Sequence, residues 1–144
     1  MILALDSTPD ALHPARSWKR AIWRGFTHHC PNCGKGHMFR AFLKVAGTCD
    51  HCGEELHHQR ADDAPPYFTI FIVGHIIIPS MLVVEALWHP PMLLQAVLWS
   101  ALTLALTLAL MPSVKGAIVG LQWALRMHGF DYSAAREEDM ASDS

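Results

Sequence analysis

Two uninterrupted apolar stretches dominate the pattern of the chain. Tyr67 to Leu87 (YFTIFIVGHIIIPSMLVVEAL) runs for 21 residues without Lys, Arg or Asp, and Pro91 to Met111 (PMLLQAVLWSALTLALTLALM) for 21 with no formal charge. As a helix each covers about 31 Å, the thickness of a bilayer's hydrocarbon core. Both are apolar on every side rather than along one stripe, which predicts two membrane spans. A buried helical hairpin in a soluble domain is the alternative, but too little polar chain remains to cover two such helices. Only Trp88-His89-Pro90 separates them, so the predicted connection is a tight turn, with Pro91 in the first turn of the second helix and Trp88 at headgroup level.

Outside the spans the periodicity is shorter. Trp18, Ala21, Ile22 and Gly25 share one side of a predicted helix from Ser17 to Phe26, with Lys19, Arg20 and Arg24 on its other sides, as in an interfacial helix. Phe39, Phe42, Leu43 and Ala46 recur at i, i+3, i+4 and i+7 and predict a short helix. Pro112 is expected to end or kink the second span. Beyond it, Val114, Ile118, Leu121 and Leu125 form an apolar stripe and Lys115, Gln122 and Arg126 a polar one, predicting a surface-lying or partner-packed helix over 112–129, ended by Gly129. Segments 1–16, 59–66 and 130–144 read as a flexible N-terminus, a linker and a disordered acidic tail. The predicted class is mainly α, a two-helix transmembrane hairpin with a small N-terminal head at 17–58.

Charge then orients the hairpin. Only 17% of residues are charged and the mean hydropathy is +0.20, which excludes both a disordered charged tail and a charge-coated globule. Ala11 to Cys49 holds seven Lys or Arg and no acid, and eight of the 11 basic residues precede the first span, against three after the second and none in the loop. Both termini, and the head, are therefore expected in the cytoplasm. The opening Met-Ile-Leu-Ala-Leu is too short for a signal peptide's apolar core, so the first span is expected to direct insertion itself. Arg16, Lys19, Arg20 and Arg24 are candidates to hold the head against anionic lipid headgroups, each contributing about 1 kcal/mol. A merely solvated basic face is the plainer reading.

The candidate chemistry lies in four cysteines. Cys30-Pro31-Asn32-Cys33-Gly34 and Cys49-Asp50-His51-Cys52-Gly53 are two C-x-x-C-G knuckles separated by 15 residues, the spacing of a four-thiolate structural zinc site. Two cysteines three apart curl the backbone round one ion, and the following glycine accepts the positive φ that completes the turn. A reducing cytoplasm keeps such thiols out of disulfides. A redox dithiol, an iron–sulfur cluster or copper are the alternatives, but the matched second pair and the missing βαβ context favour zinc. Four thiolates leave no open position for a catalytic water. No nucleophile, base or substrate cleft stands out, so no catalytic residue is assigned.

Polar groups inside the spans are the other candidates. His75 lies about 12 Å into the first span, level with Thr103 on the second, where a hydrogen bond to a hydroxyl is the plain reading and a haem, copper or proton-carrying role the sharper one. Glu85 lies near the far end with Gln95 at similar depth, within reach of headgroup water. His28, His29, His37, His51, His57 and His58 surround the knuckles, either as polar surface or as a second, labile metal site.

Arg24-Gly25, CPNCGKGHMFRAFLKV from Cys30 to Val45, CDHCG, and above all RADDAPPYFTIFIVGHI from Arg60 to Ile76 resemble the bacterial family catalogued as domain of unknown function 983. The resemblance spans about Trp23 to Arg126. It implies a small inner-membrane protein with a zinc-ribbon-like cytoplasmic head and two spans. It also implies a link to oxidase biogenesis, since alphaproteobacterial relatives are often encoded among cytochrome c oxidase subunits and assembly factors. The expectation is a non-enzymatic accessory protein packed against a respiratory oxidase subunit, an assembly factor or a second copy of itself. Metal or haem handling, or thiol redox work, by the cysteines and His75 is the alternative. Nucleic acid is not favoured, because lipid accounts for the basic charge and no stacking aromatic ladder is present.

Overall fold

The computed structural model describes residues 16–58, 64–127 and 130. The elements, in chain order, are α1 (Trp18–Phe26), the hairpin strands β1 (Phe39–Ala41) and β2 (Lys44–Val45), α2 (Ala64–Trp88) and α3 (Met92–Ala124). The readings of the N-terminus, most of the linker, Gly129 and the acidic tail fall outside the described residues.

α2 and α3 contain the two apolar stretches. They meet through Val73, Ile77 and Trp99, with Val84, Leu106 and Leu110 packed around them. The remaining large apolar side chains, Phe68, Phe71, Ile78 and Leu82 on α2 and Leu93, Val97 and Leu104 on α3 among them, point away from the chain. A surface this apolar needs lipid rather than water around it, and both helices are long and apolar enough to cross a bilayer. The chain is membrane-associated. Pro79 lies inside α2, and the next residue, Ser80, donates its hydroxyl to the Ile76 carbonyl at 2.6 Å. At the turn, the Gln95 amide donates to the Glu85 carboxylate and to the Pro90 carbonyl, so these two intramembrane polar residues satisfy each other.

The helix of the second span does not end at Pro112. α3 continues through it for 33 residues in all, about 50 Å and so about 20 Å longer than a hydrocarbon core. Of the separate helix expected over 112–129, residues 112–124 are instead the last turns of the same helix, which ends at Ala124. This extension supports the rest of the chain. α1 lies on it backbone to backbone: a Cβ at Gly116 would stand 2.1 Å from the Gly25 carbonyl oxygen, and one at Gly120 2.3 Å from that of Ala21. Ala21 and Gly25, read as part of a lipid-facing side, are buried here, while Trp18 and Trp23 point outward. Arg16 lies over the Trp123 ring, 4.2 Å from its centroid, and donates to the Trp123 carbonyl at 2.8 Å.

The head leans on the same extension. Met38 and Leu56 are fully buried against Val119, with Phe39, Val45 and Ile118 packed around them. Between the knuckles the chain forms a hairpin and not the helix that the spacing of Phe39, Phe42, Leu43 and Ala46 predicts. Phe39 pairs with Val45 and Ala41 with Lys44, leaving Phe42 and Leu43 as the turn. The two knuckles must meet, so the segment between them has to leave and return, which a hairpin does and a short helix does not. Phe42 at the tip is 61% exposed, so its place in the apolar spacing is accidental. Leu43, at φ 60°, is held from α3 by Lys115, whose ammonium donates to the Leu43 carbonyl at 2.9 Å.

Candidate metal centre

Each knuckle is built in the same way. The Cys30 N–H bonds the Gly36 carbonyl and the Gly34 N–H returns to the Cys30 carbonyl; in the second knuckle the Cys49 N–H bonds the Glu54 carbonyl and the Gly53 N–H returns to Cys49. Gly34 and Gly53 take φ values of 69° and 73°, the left-handed conformation expected of the residue after each C-x-x-C. Short bridges, His29 with His37 and Thr48 with Glu55, tie the ends of each loop.

The two loops bring all four sulfurs together, within 4.8 Å of one another. Cys30 Sγ lies 3.7 Å from Cys52 Sγ, and Cys33 Sγ 3.8 Å from Cys49 Sγ. A tetrahedral ion with metal–sulfur bonds of about 2.3 Å requires sulfur–sulfur edges of about 3.8 Å, so these two pairs are spaced to share one metal ion. Backbone N–H groups of Lys35 and Gly36 point at Cys33 Sγ at 3.4 and 3.5 Å, and that of His51 at Cys49 Sγ at 3.4 Å. Such donors stabilise thiolate. Burial pushes the Cys33 thiol up, but the Gly36 and Lys35 N–H groups outweigh it and bring it down to about 6. At Cys30 and Cys52 burial prevails and the thiols are raised. A divalent ion is what would let all four ionise together.

Side chains outside the motifs lock the loops to each other. Asn32, within the first knuckle, donates to Glu54 Oε2 at 2.9 Å, just past the second, and the other Glu54 oxygen accepts from the Trp123 indole N–H of α3 at 2.7 Å. Arg24 of α1 donates to the Pro31 and Asn32 carbonyls. Arg16 and Arg24, read as headgroup contacts, thus bond within the protein. Gly36 is where the loops touch, since a Cβ there would stand 2.3 Å from Cys49 Sγ. Sequence reasoning missed Asn32, Glu54, Gly36 and Trp123, whose partners lie too far along the chain to leave a local pattern. It also missed the small residues spaced four apart, Ala21 with Gly25 and Gly116 with Gly120, a spacing that signals close helix contact.

The intramembrane candidates lie apart from this centre. His75 is on the outward face of α2, its Nδ1 2.8 Å from the Phe71 carbonyl of its own helix. Within one chain the expected hydrogen bond to a hydroxyl at the level of Thr103 is therefore not formed: Val73 and Ile77 face α3, and the histidine between them points outward.

The profile of the family described as Protein of unknown function (DUF983) matches residues 39–123, more than half of the chain. The chain belongs to the DUF983 family. The DUF983 match takes in the second knuckle, α2 and nearly all of α3. A curated adenylate kinase of Pelobacter propionicus is 37% identical over 65 residues, 44% of this chain. The chain spans only 26% of that enzyme's length, a partial likeness that transfers no activity. No solved structure matches.

Proposed function

We propose that this DUF983 protein is a non-enzymatic accessory protein of the bacterial inner membrane, in which a structural zinc ion on Cys30, Cys33, Cys49 and Cys52 rigidifies a head for presentation to a membrane-protein partner. The observation that carries this reading is the closed sulfur tetrahedron. Four sulfurs at zinc spacing leave no position for substrate, and the loops holding them are fastened to α1 and α3 by Arg24, Glu54 and Trp123. The predominance of basic residues before the first span supports a cytoplasmic head and cytoplasmic termini. The head's lower edge suits anionic headgroups. Trp23, Phe26 and Phe42 are exposed, Arg40 and Lys44 flank the hairpin tip, and the neighbouring Leu43 and Gly25 meet α3 at Lys115 and Gly116, about 7 Å beyond the apolar stretch. A respiratory oxidase subunit or assembly factor is the proposed partner class, on the family resemblance.

Mild detergent extraction at native expression, followed by elemental analysis and identification of co-purifying proteins, tests the reading. One firmly held zinc per chain and an oxidase or assembly partner are expected. Copper, iron or a readily reversible disulfide at the cysteines would replace it with metal handling or redox work.

A further inference from the structure

The head carries a second group of metal-ligating side chains that the sulfur site does not use. Glu55, His57 and His58 follow directly on the second knuckle, with one donor atom of each within 4.8 Å of the others. Local backbone explains the grouping. Glu55 is bridged to Thr48, and Leu56, the next residue, is turned inward and fully buried against Met38 and Val119. Side chains alternate along extended backbone, so Glu55 and His57 both face outward. The N–H groups of Leu56 and His57 then share the Gly47 carbonyl, at 2.8 and 3.2 Å, where the chain bends. The bend returns His58 over Glu55, with Nε2 3.0 Å from Oε2, and sets the two imidazoles with centroids 4.0 Å apart. Phe130, fully buried, backs the His58 ring edge-on.

We propose that Glu55, His57 and His58 form an exchangeable site for a borderline divalent transition metal of the zinc, nickel or copper(II) class. Two imidazoles and one carboxylate suit these ions, whereas softer ions prefer thiolate and magnesium or calcium prefers an all-oxygen shell. With metal–donor bonds of about 2.0–2.2 Å, neighbouring ligand atoms stand about 2.8–3.1 Å apart in octahedral geometry and about 3.3–3.6 Å in tetrahedral, and the Glu55–His58 separation falls in the octahedral range. Three protein donors leave a coordination position open, and Glu55 and His57 are exposed, so an ion can enter and leave. The sulfur site is built to retain its metal; this one is built to exchange it.

The test uses untagged, full-length protein in detergent, loaded with one zinc per chain at the cysteines. Nickel(II), which does not oxidise thiols, is titrated by calorimetry and counted by elemental analysis after gel filtration. One nickel per chain is expected with the zinc retained, and at least tenfold weaker nickel binding in His57→Ala and in Glu55→Gln, each still holding one zinc. Zinc content reports the fold of each variant independently, and the shape-preserving Glu55→Gln decides should His57→Ala lose its zinc. Failure of zinc-loaded protein to take nickel overturns the proposal. So does equal nickel binding by wild type and both variants, which would assign the ion to His28, His29, His37 or His51.

Discussion

At Gly36 a single methyl group decides whether the two knuckles can meet. Gly36→Ala drives a Cβ into Cys49 Sγ and the Asp50 carboxylate, whereas Gly47, in the same head, has open space around its Cα. Zinc analysis of the purified variants should find the metal lost or loosened in Gly36→Ala and unchanged in Gly47→Ala. Cys30→Ser and Cys52→Ser should be more severe. Zinc contributes on the order of 10 kcal/mol to folding heads of this size, so limited proteolysis should find the head digested and cellular abundance reduced. Acid should act through the same sulfurs. Protons compete with the ion for thiolate, and burial, which raises the Cys30 and Cys52 thiols, favours the protonated form there. Zinc release measured with a chromophoric chelator should therefore begin on acidification from neutrality, and raising the pH should not provoke it. The cysteines and the glycines at positive φ were legible from sequence because the motif and the turn it makes are local. Asn32 and Glu54, 22 positions apart, were not, because neither has a reason to be polar until the loops close.

Among the elements, α1 and α3 depend on the absence of side chains. Gly116→Val places bulk against the Gly25 backbone, where no rotamer can relieve it, and should cost more than the roughly 1–3 kcal/mol of ordinary core overpacking. Faster proteolysis within α1 and reduced abundance should report the loss. α2 and α3 were readable because unbroken apolarity has one physical outcome in a bilayer. The hairpin was misread because four apolar residues at helical spacing say nothing of a tertiary demand, here the return of the chain to its partner knuckle. Of the two effects expected of Pro112, an end or a kink, the helix does not take the first. For His75 the bond expected within the hairpin is not formed, since the rotation of a helix follows from which residues pack and leaves no local pattern in the sequence. Because His75 bonds only within its own helix in the described residues, His75→Ala should leave membrane insertion and zinc content unaltered. Activity lost at unchanged protein level would give this residue a chemical role.

For the whole molecule, α3 is the common support: it pairs with α2 at one end and carries α1, the hairpin and the knuckles at the other. The basic segment before the first span has two uses in this arrangement. Arg16 bonds the end of α3 and Arg24 the first knuckle, while Lys19 and Arg20 are exposed. Topology follows from the proposed orientation: a membrane-impermeant thiol reagent added outside intact cells should not label the cysteines, and should do so once the membrane is opened and zinc removed.

Because α3 continues through Pro112 from the far turn to the residues that carry the head, a change in the inclination of the span is expected to incline the head as well. A 10° change in tilt, well within what bilayers of different thickness impose on helices, swings the end of a 20 Å overhang sideways by roughly 3–4 Å. Reconstitution in bilayers of different thickness should therefore change the angle at which the head meets a neighbouring protein.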